Sequence, residues 1–492
     1  MILFKQQNSY GASIPKEVKS VINKLKENGF EAYIVGGCVR DFLRGIKPKD
    51  WDITTNTKPE EVQKIFPNSF CENKFLTVTV LTKSKEPELK EIEITTYRSE
   101  AKYSDKRHPD TIKYAKTIQE DLARRDFTVN AIALEEKKII DPFEGQKDLE
   151  KKLIKAVGNP EQRFSEDALR MMRAVRFATT LDFEIDKETS KAIKKNAFWI
   201  QAISKERIRD EFMKIIMSER ASDGIDLLRE VSLLKYIIPE LNEGYGVAQN
   251  KHHIYGCYKH SVLSLKYAAE KGFNKHVKLA ALFHDVGKPR AKQGQGADST
   301  FYNHEIIGAK MTIQILNRLK FSKKDIEKVV KLVRYHLFYY NVGEVSESSV
   351  RRLVRNAGPE NMEELLQVRM SDRIGSGCPK AEPYKLRHLK YIIEKVSKDP
   401  ISVTKLKVSG NDIMKILKIK PGFKIGQVLD ILLSYVLESP DKNKKIFLEK
   451  EIKKLGKLNE KELLSLSQKA KKEREDIEIK RDKMTRNKYW IT

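Results

Sequence analysis

The sequence predicts an α+β protein, with a mixed strand-and-helix region first and helices for the rest of the chain. Three observations carry this. Short β-branched runs with period-2 alternation are confined to the first part of the chain, ahead of about Asn159. Beyond that point, long segments with 3.6-residue periodicity replace them. At 492 residues the chain has room for about three domains.

Taken in order, residues 21–30 read as an amphipathic helix. Residues 32–35 (AYIV) form an apolar strand that runs into Gly36 and Gly37. Residues 75–81 (FLTVTVL) and 91–97 (EIEITTY) alternate in the manner of strands. Residues 165–180 and 205–217 carry the helical period, and a histidine-rich helical region covers roughly 250–375. The segment 441–492 holds 17 Lys and Arg against 10 Asp and Glu and reads as a solvated, salt-bridge-laced helix.

Composition narrows the function. Lys and Arg number 95 and Asp and Glu 69, a formal net charge of +26. A charge that large calls for a polyanionic partner, nucleic acid before anionic membrane. No apolar run approaches the ~18 residues of a membrane span. The opening MILFKQQNSYGASIPKEV has no apolar signal core. Cys38, Cys71, Cys257 and Cys378 form no CxxC pair, which argues against a zinc finger and a secreted disulfide framework. The expectation is a basic, multidomain, cytoplasmic protein, with the oligomeric state open.

Four segments carry candidate chemistry in the first half. Gly36-Gly37 after a strand lets the backbone approach a phosphate, or is simply a turn; Arg40 is placed to add a contact to a triphosphate. In Lys49-Asp50-Trp51-Asp52, residues two apart on a strand share a face, so Asp50 and Asp52 present two carboxylates together. Such a pair repels unless a cation sits between them, and Mg²⁺ suits hard oxygen ligands. Glu93 is the candidate third carboxylate, although Glu91 shares its face. In DLARRDFTVNA, Arg125 can meet phosphate while Asp126 and Asn130 hold a sugar; a helix cap with a surface ion pair is the alternative. In SEDALRMMRAVRF, Asp167 and Arg170 are three apart on a predicted helix. They are a plain salt bridge or a reader of bases. Cytosine and adenine each present an amine donor beside a ring-nitrogen acceptor, which a carboxylate and a guanidinium together select against guanine and uracil. Arg173 and Arg176 drift around the helix, so phosphate contacts or structural pairing suit them better than the same base.

In this order, AYIVGGCVRDFLRG…KDWDITTN, EITTYR, DLARRDFTVNAIA with IIDPFEG, and SEDALRMMRAVRFA resemble the class II tRNA nucleotidyltransferase and poly(A) polymerase family. SKERIRDEFMKII looks like that family's next helical motif. The resemblance covers about 14–242 and implies a polymerase-beta-type nucleotidyltransferase head with a helical neck and body. It implies template-free addition of C, C and A to tRNA from CTP and ATP. By motif match, Asp50 and Asp52 would hold Mg²⁺, Gly37, Arg40 and Arg125 would contact the nucleotide, and Asp167 and Arg170 would select the base. The segment YRSEAKYSDKRHPD, residues 97–110, resembles the loop that supports the switch to A addition, which argues against CC-only activity.

The chain has nine histidines, and His260, His284, His304 and His336 stand out, with Asp285 beside His284 and Asp372 beyond. Imidazoles and carboxylates together suit mixed N/O metal sites. The set YGCYKHSVL…LFHDVGKP…YNHEIIGAKM…RYHLFYYN…MSDRIGS resembles the HD phosphohydrolase superfamily. The resemblance implies His260, His284, Asp285 and Asp372 as ligands of a divalent transition metal or Mg²⁺. It places His304 and His336 at a second metal and Lys288 near a phosphate. The expected organisation is a head over 14–150, a neck over 151–245, an HD domain over 246–380 and a helical tRNA-binding body over 381–492. The rivals to CCA addition are A-only addition or poly(A) synthesis, and an RNA phosphodiesterase whose head only binds nucleotide.

Overall fold

Side-chain alternation builds the head. In β5 (Glu91–Thr96) Ile92 and Ile94 are buried while Glu91 and Glu93 point to the other face. The computed structural model describes residues 14–72, 76–101, 111–135, 138–250, 254–397, 403 and 406–491. The strands β1 (Ala32–Val35), β2 (Asp52–Thr55), β3 (Ser69–Glu72), β4 (Thr77–Leu81), β5, β8 (Ala133–Glu135) and β9 (Lys138–Ile140) form one mixed sheet. Its order is β3-β4-β5-β2-β1-β8-β9. β2 and β5 run parallel, and the other neighbours are antiparallel. A separate hairpin, β6 (Arg98–Ala101) with β7 (Thr111–Tyr114), follows β5. Residues 102–110, most of the loop singled out in the sequence, lie outside the described residues.

One face of the sheet is covered by the helix Lys16–Glu27, which buries Val18, Val21, Ile22 and Leu25 against Ile34, Ile53, Ile92 and Ile94. The helix lies earlier than the expected 21–30. Phe30 N–H bonds back to Leu25 O and closes the last turn, so residues 28–30 leave the helical path. The buried apolar side chains together form the dry floor on which the polar site stands.

The predicted helix over 165–180 is two helices, Pro160–Glu166 and Leu169–Leu181. Asp167 between them is extended (φ −135°, ψ 106°). Helix Lys205–Met217 forms as expected. Two two-residue strands, β10 (Leu153–Ile154) and β11 (Glu184–Ile185), pair in parallel and are too short to register as a sequence pattern.

The chain forms two compact units. One takes in the described residues up to Leu337 together with Glu364–Pro379. The other comprises Phe338–Glu363 and the described residues from Lys380 on. The second unit is helical, with Ile413, Val428, Leu432, Leu448, Ile452 and Leu463 in its core. Its last helix, Glu460–Lys488, opens with a capping box between Asn459 and Glu462 and is mostly exposed. It still buries Leu463 and Ala470 in that core, so the basic segment is a packed element with a solvated outer face. Among the described residues, Cys38, Cys71, Cys257 and Cys378 form no disulfide, and no helix is long and apolar enough to cross a membrane.

Candidate functional site

The first site grows out of the β1–β2–β5 centre of the sheet. β1 ends at Val35, which pairs with Asp52, and Asp52 in turn pairs with Glu93 on β5. Asp50 lies just before β2, separated from Asp52 by the buried Trp51. All three carboxylates line one pocket of about 580 Å³. Glu91, the other candidate, does not line it. Burial first, then Asp50, lifts the Asp52 carboxyl to about 6; Arg125 opposes this and Glu93 adds to it. Three carboxylates converging in one partly buried pocket are a donor set that a hard divalent cation relieves, and all-oxygen ligands fit Mg²⁺.

The turn after β1 has to be glycine. Gly36 has φ +85°, and a Cβ there would lie 3.0 Å from Arg125 Nη1 and 3.5 Å from Asp52 Oδ2. It brings backbone, arginine and carboxylate to one point. Arg40 donates to both oxygens of Asp41 at 2.9 Å and to Asn130 Oδ1 at 2.8 Å. Asn130 Nδ2 donates to Asp126 Oδ1, and Arg173 donates to Asp126 Oδ2 at 2.7 Å. Asp126 and Asn130 are thus bound up with the arginines in this structure. Burial raises the Asp126 carboxyl, but Arg173 and Arg170 outweigh it and draw the group down to about 2.

Asp167 and Arg170 are arranged differently from a helical salt bridge. Asp167 Oδ1 accepts from Leu169 N–H at 2.9 Å and Oδ2 from Arg207 Nη2 at 2.8 Å. Arg170 donates to Glu166 Oε2 at 2.7 Å and to Arg124 O at 3.0 Å. Asp167 and Arg170 therefore have separate partners, yet both line the pocket. Arg176 donates to Glu211 at 2.8 Å and lies outside the lining, whereas Arg173 belongs to it. The structure also brings in Arg207, Arg98, Arg124 and Phe177. Arg207 sits in SKERIRDEFMKII, so its neighbourhood was visible in the sequence although its partner was not. Asp121, fully buried, ties Arg124 (2.8 Å), Arg125 (3.5 Å) and Thr54 Oγ1 (3.4 Å) together.

A second site lies among helices Cys257–Glu270, Lys275–Phe283, His304–Arg318, Lys323–Tyr335 and Met362–Gly375. His260 Nε2 stands 2.9 Å from His284 Nε2, 3.1 Å from Asp285 Oδ2 and 3.3 Å from Asp372 Oδ1. The other Asp285 oxygen is 3.4 Å from His304 Nε2 and 3.6 Å from His336 Nε2. His284, His304 and His336 each place Nδ1 at 2.7–2.9 Å from a backbone carbonyl, which puts the proton there and turns the Nε2 lone pairs inward. Gly287 makes this approach possible, since a Cβ would meet His304 O at 2.3 Å. Two triads, His260–His284–Asp285 and Asp285–His304–His336, share Asp285 and have the chemistry of metal ligands. Burial disfavours a charged His284, but Asp285 and Asp372 outweigh it and push the imidazole pKa up to about 10, so Nε2 among these carboxylates takes up either a proton or a metal ion in its place. A cation is what this cluster attracts. Lys288 Nζ is 2.6 Å from Asp285 Oδ2 and 2.6 Å from Gln249 Oε1.

Three family models match in succession. "Poly A polymerase head domain" covers residues 32–155, "Probable RNA and SrmB- binding site of polymerase A" 182–244, and "HD domain" 257–374. The chain carries a poly A polymerase head and an HD domain. The CCA-adding enzyme of Ligilactobacillus salivarius is 44% identical over 229 residues, 46% of this chain and 55% of that protein. The alignment thus spans about half the length of the curated relatives it matches. The structure of the Bacillus stearothermophilus CCA-adding enzyme in complex with CTP is 26% identical with a TM-score of 0.55, covering 90% of this chain and 98% of that one. The Thermotoga maritima CCA-adding enzyme complexed with tRNA is similar in fold, at 19% identity and a TM-score of 0.53, over 89% and 95% of the two chains. The acidic pocket falls within the head match and the helices that follow it, and the four clustered histidines with Asp285 and Asp372 fall within the HD match.

Proposed function

We propose that this chain adds C, C and A to the 3′ end of tRNA from CTP and ATP, and that its HD domain is a separate metal-dependent phosphohydrolase. The observation that carries the first part is the acidic trio Asp50, Asp52 and Glu93 at one end of an arginine-lined pocket with Asp167 and Arg170 in its wall. The RNA 3′-OH attacks the α-phosphorus in line, and pyrophosphate leaves. Asp50, Asp52 and Glu93 would hold Mg²⁺, which when bound lowers the hydroxyl pKa and neutralises charge on the leaving group. Arg40 and Arg125 face the phosphates, and Gly36 and Gly37 give them close access to the backbone. Asp167 accepts from the exocyclic amine of C or A while Arg170 donates to the ring nitrogen. The net charge of +26 suits an RNA acceptor arm recognised through phosphates and shape. The matched relatives, described as CCA-adding enzymes, support the same reading.

The second part is carried by the four inward-turned imidazoles around Asp285. They would hold one or two divalent cations, which polarise a phosphoester when bound. Lys288 beside Asp285 is placed to orient a phosphate oxygen. The deciding experiment offers tRNA ending before C, after C and after CC, with CTP, ATP or both. Completion of all three ends supports CCA addition; extension of only the CC end by ATP makes this an A-adding enzyme.

A further inference from the structure

We propose that Phe177 is a positioning residue of the nucleotide pocket, the shared platform that sets three guanidiniums from two distant segments. This rests on the nucleotidyl-transfer reading. The ring lines the pocket and is 6% exposed. Arg176 stacks on it with its guanidinium carbon 3.5 Å from the ring centroid. Arg173 and Arg40 stand at 5.3 and 5.4 Å. The ring meets Phe127 edge-on, at 5.8 Å and 80°, and Phe127 is fully buried beside Asp126.

Three cations around one ring repel each other, and two kinds of contact hold them. Carboxylates grip their edges: Asp41 holds Arg40, Asp126 holds Arg173 and Glu211 holds Arg176. The aromatic ring fixes their planes. Stacking uses the π face and leaves the N–H donors for a ligand, which a second carboxylate in the same place would not do. Arg40 follows the Gly-Gly turn, at the phosphate end. Arg173 and Arg176 lie on the helix that begins just after Asp167. The ring therefore joins the phosphate-side arginine to the base-reading helix, so that nucleotide contacts at either end depend on one side chain. Its position directly after Arg176 was visible in the sequence, but its neighbours from residues 40 and 127 were not.

The test uses the full chain and measures equilibrium binding of CTP and ATP, with steady-state kinetics beside it. Phe177→Leu should raise the Kd and KM for both nucleotides about tenfold, in line with loss of a desolvated cation–π platform, while kcat stays within about threefold. Phe177→Tyr, which restores a ring, should recover most of the lost affinity. Arg176→Lys keeps the charge and the ring but cannot stack flat, and should weaken binding in the same direction. This second variant decides the matter if Phe177→Leu does not fold. CTP binding within about twofold of wild type in a folded Phe177→Leu, or in Arg176→Lys if the former does not fold, overturns the inference. A wild-type chain that binds neither CTP nor ATP overturns the transfer reading on which it stands.

Discussion

Glu93 lies directly beside Asp52, paired with it across the parallel strands β2 and β5. The register chooses between two glutamates that alternation alone leaves equivalent. Glu91 pairs with Leu81 at the other side of β5 and is outside the pocket.

Glu93→Gln should therefore lower nucleotide incorporation by about a hundredfold, the scale of losing one preorganised electrostatic group at a reacting centre. Glu91→Gln should stay within about twofold of wild type, because an exposed strand residue away from the pocket contributes little. Radiolabelled CTP incorporation into tRNA lacking its 3′ end measures both. Equal losses in the two variants would remove Glu93 from the site.

How much of this was legible depends on the range of the contact. Asp50, Asp52, Arg40 and the Gly-Gly turn lie within twenty residues, and local spacing places them together. His260, His284, His304 and His336 stood out because histidine is sparse, at nine in 492, and the structure gathers them around Asp285 with Asp372 beside His260. The break at Asp167 was not. Its neighbours keep the helical period on either side, so periodicity reads through a single extended residue. The Arg207–Asp167 pair spans forty residues, and Arg40–Asn130 spans ninety. Pairing at that distance is set by tertiary packing, which no window of sequence contains.

Asp167→Asn keeps the oxygen that accepts from Leu169 N–H but replaces one acceptor by a donor. That donor replaces Oδ2, releasing Arg207, and toward a base it opposes the amine of C and A and matches the carbonyl of G and U. Selectivity for CTP over UTP should fall by roughly ten- to a hundredfold, the equivalent of about 1–3 kcal/mol for a mispaired buried group. Thermal stability should fall only modestly, since the bond from Leu169 N–H survives while the part-exposed ion pair to Arg207 is lost. Competition between CTP and UTP at equal concentration reads the ratio directly; an unchanged ratio would leave Asp167 as a helix-linking residue only.

Asp126 gives an acid-stability signature. Its carboxyl is near 2 in the folded chain, against about 3.9 unfolded. A lowered carboxylate contributes stability above its unfolded value and loses that contribution as pH falls through the folded one. The stability gap between wild type and Asp126→Asn should thus be largest above about pH 4 and close towards pH 2, a change on the order of 2 kcal/mol. Urea unfolding of both proteins across this range, followed at the head, measures it. A gap that stays constant with pH would mean that the charge on Asp126 is not what holds Arg173.

The HD domain makes the most separable prediction. Asp285 is the one residue common to both ligand triads, with one oxygen toward His260 and His284 and the other toward His304 and His336. Removing it should abolish both sites, whereas removing an outer histidine should spare the first triad. After reloading with Mn²⁺, Ni²⁺ or Mg²⁺ and desalting, Asp285→Ala should retain no tightly held metal at the HD site, and His336→Ala should retain more than Asp285→Ala but less than wild type. Metal content by mass spectrometry is read before any assay of activity. Hydrolysis of 2′,3′-cyclic nucleotides should vanish in Asp285→Ala, while nucleotide addition continues within about twofold because the head pocket draws on a disjoint set of ligands. Arrest of nucleotide addition in a well-folded Asp285→Ala would show that the two chemistries are coupled, and undiminished metal content would show that the imidazoles are a buried structural cluster.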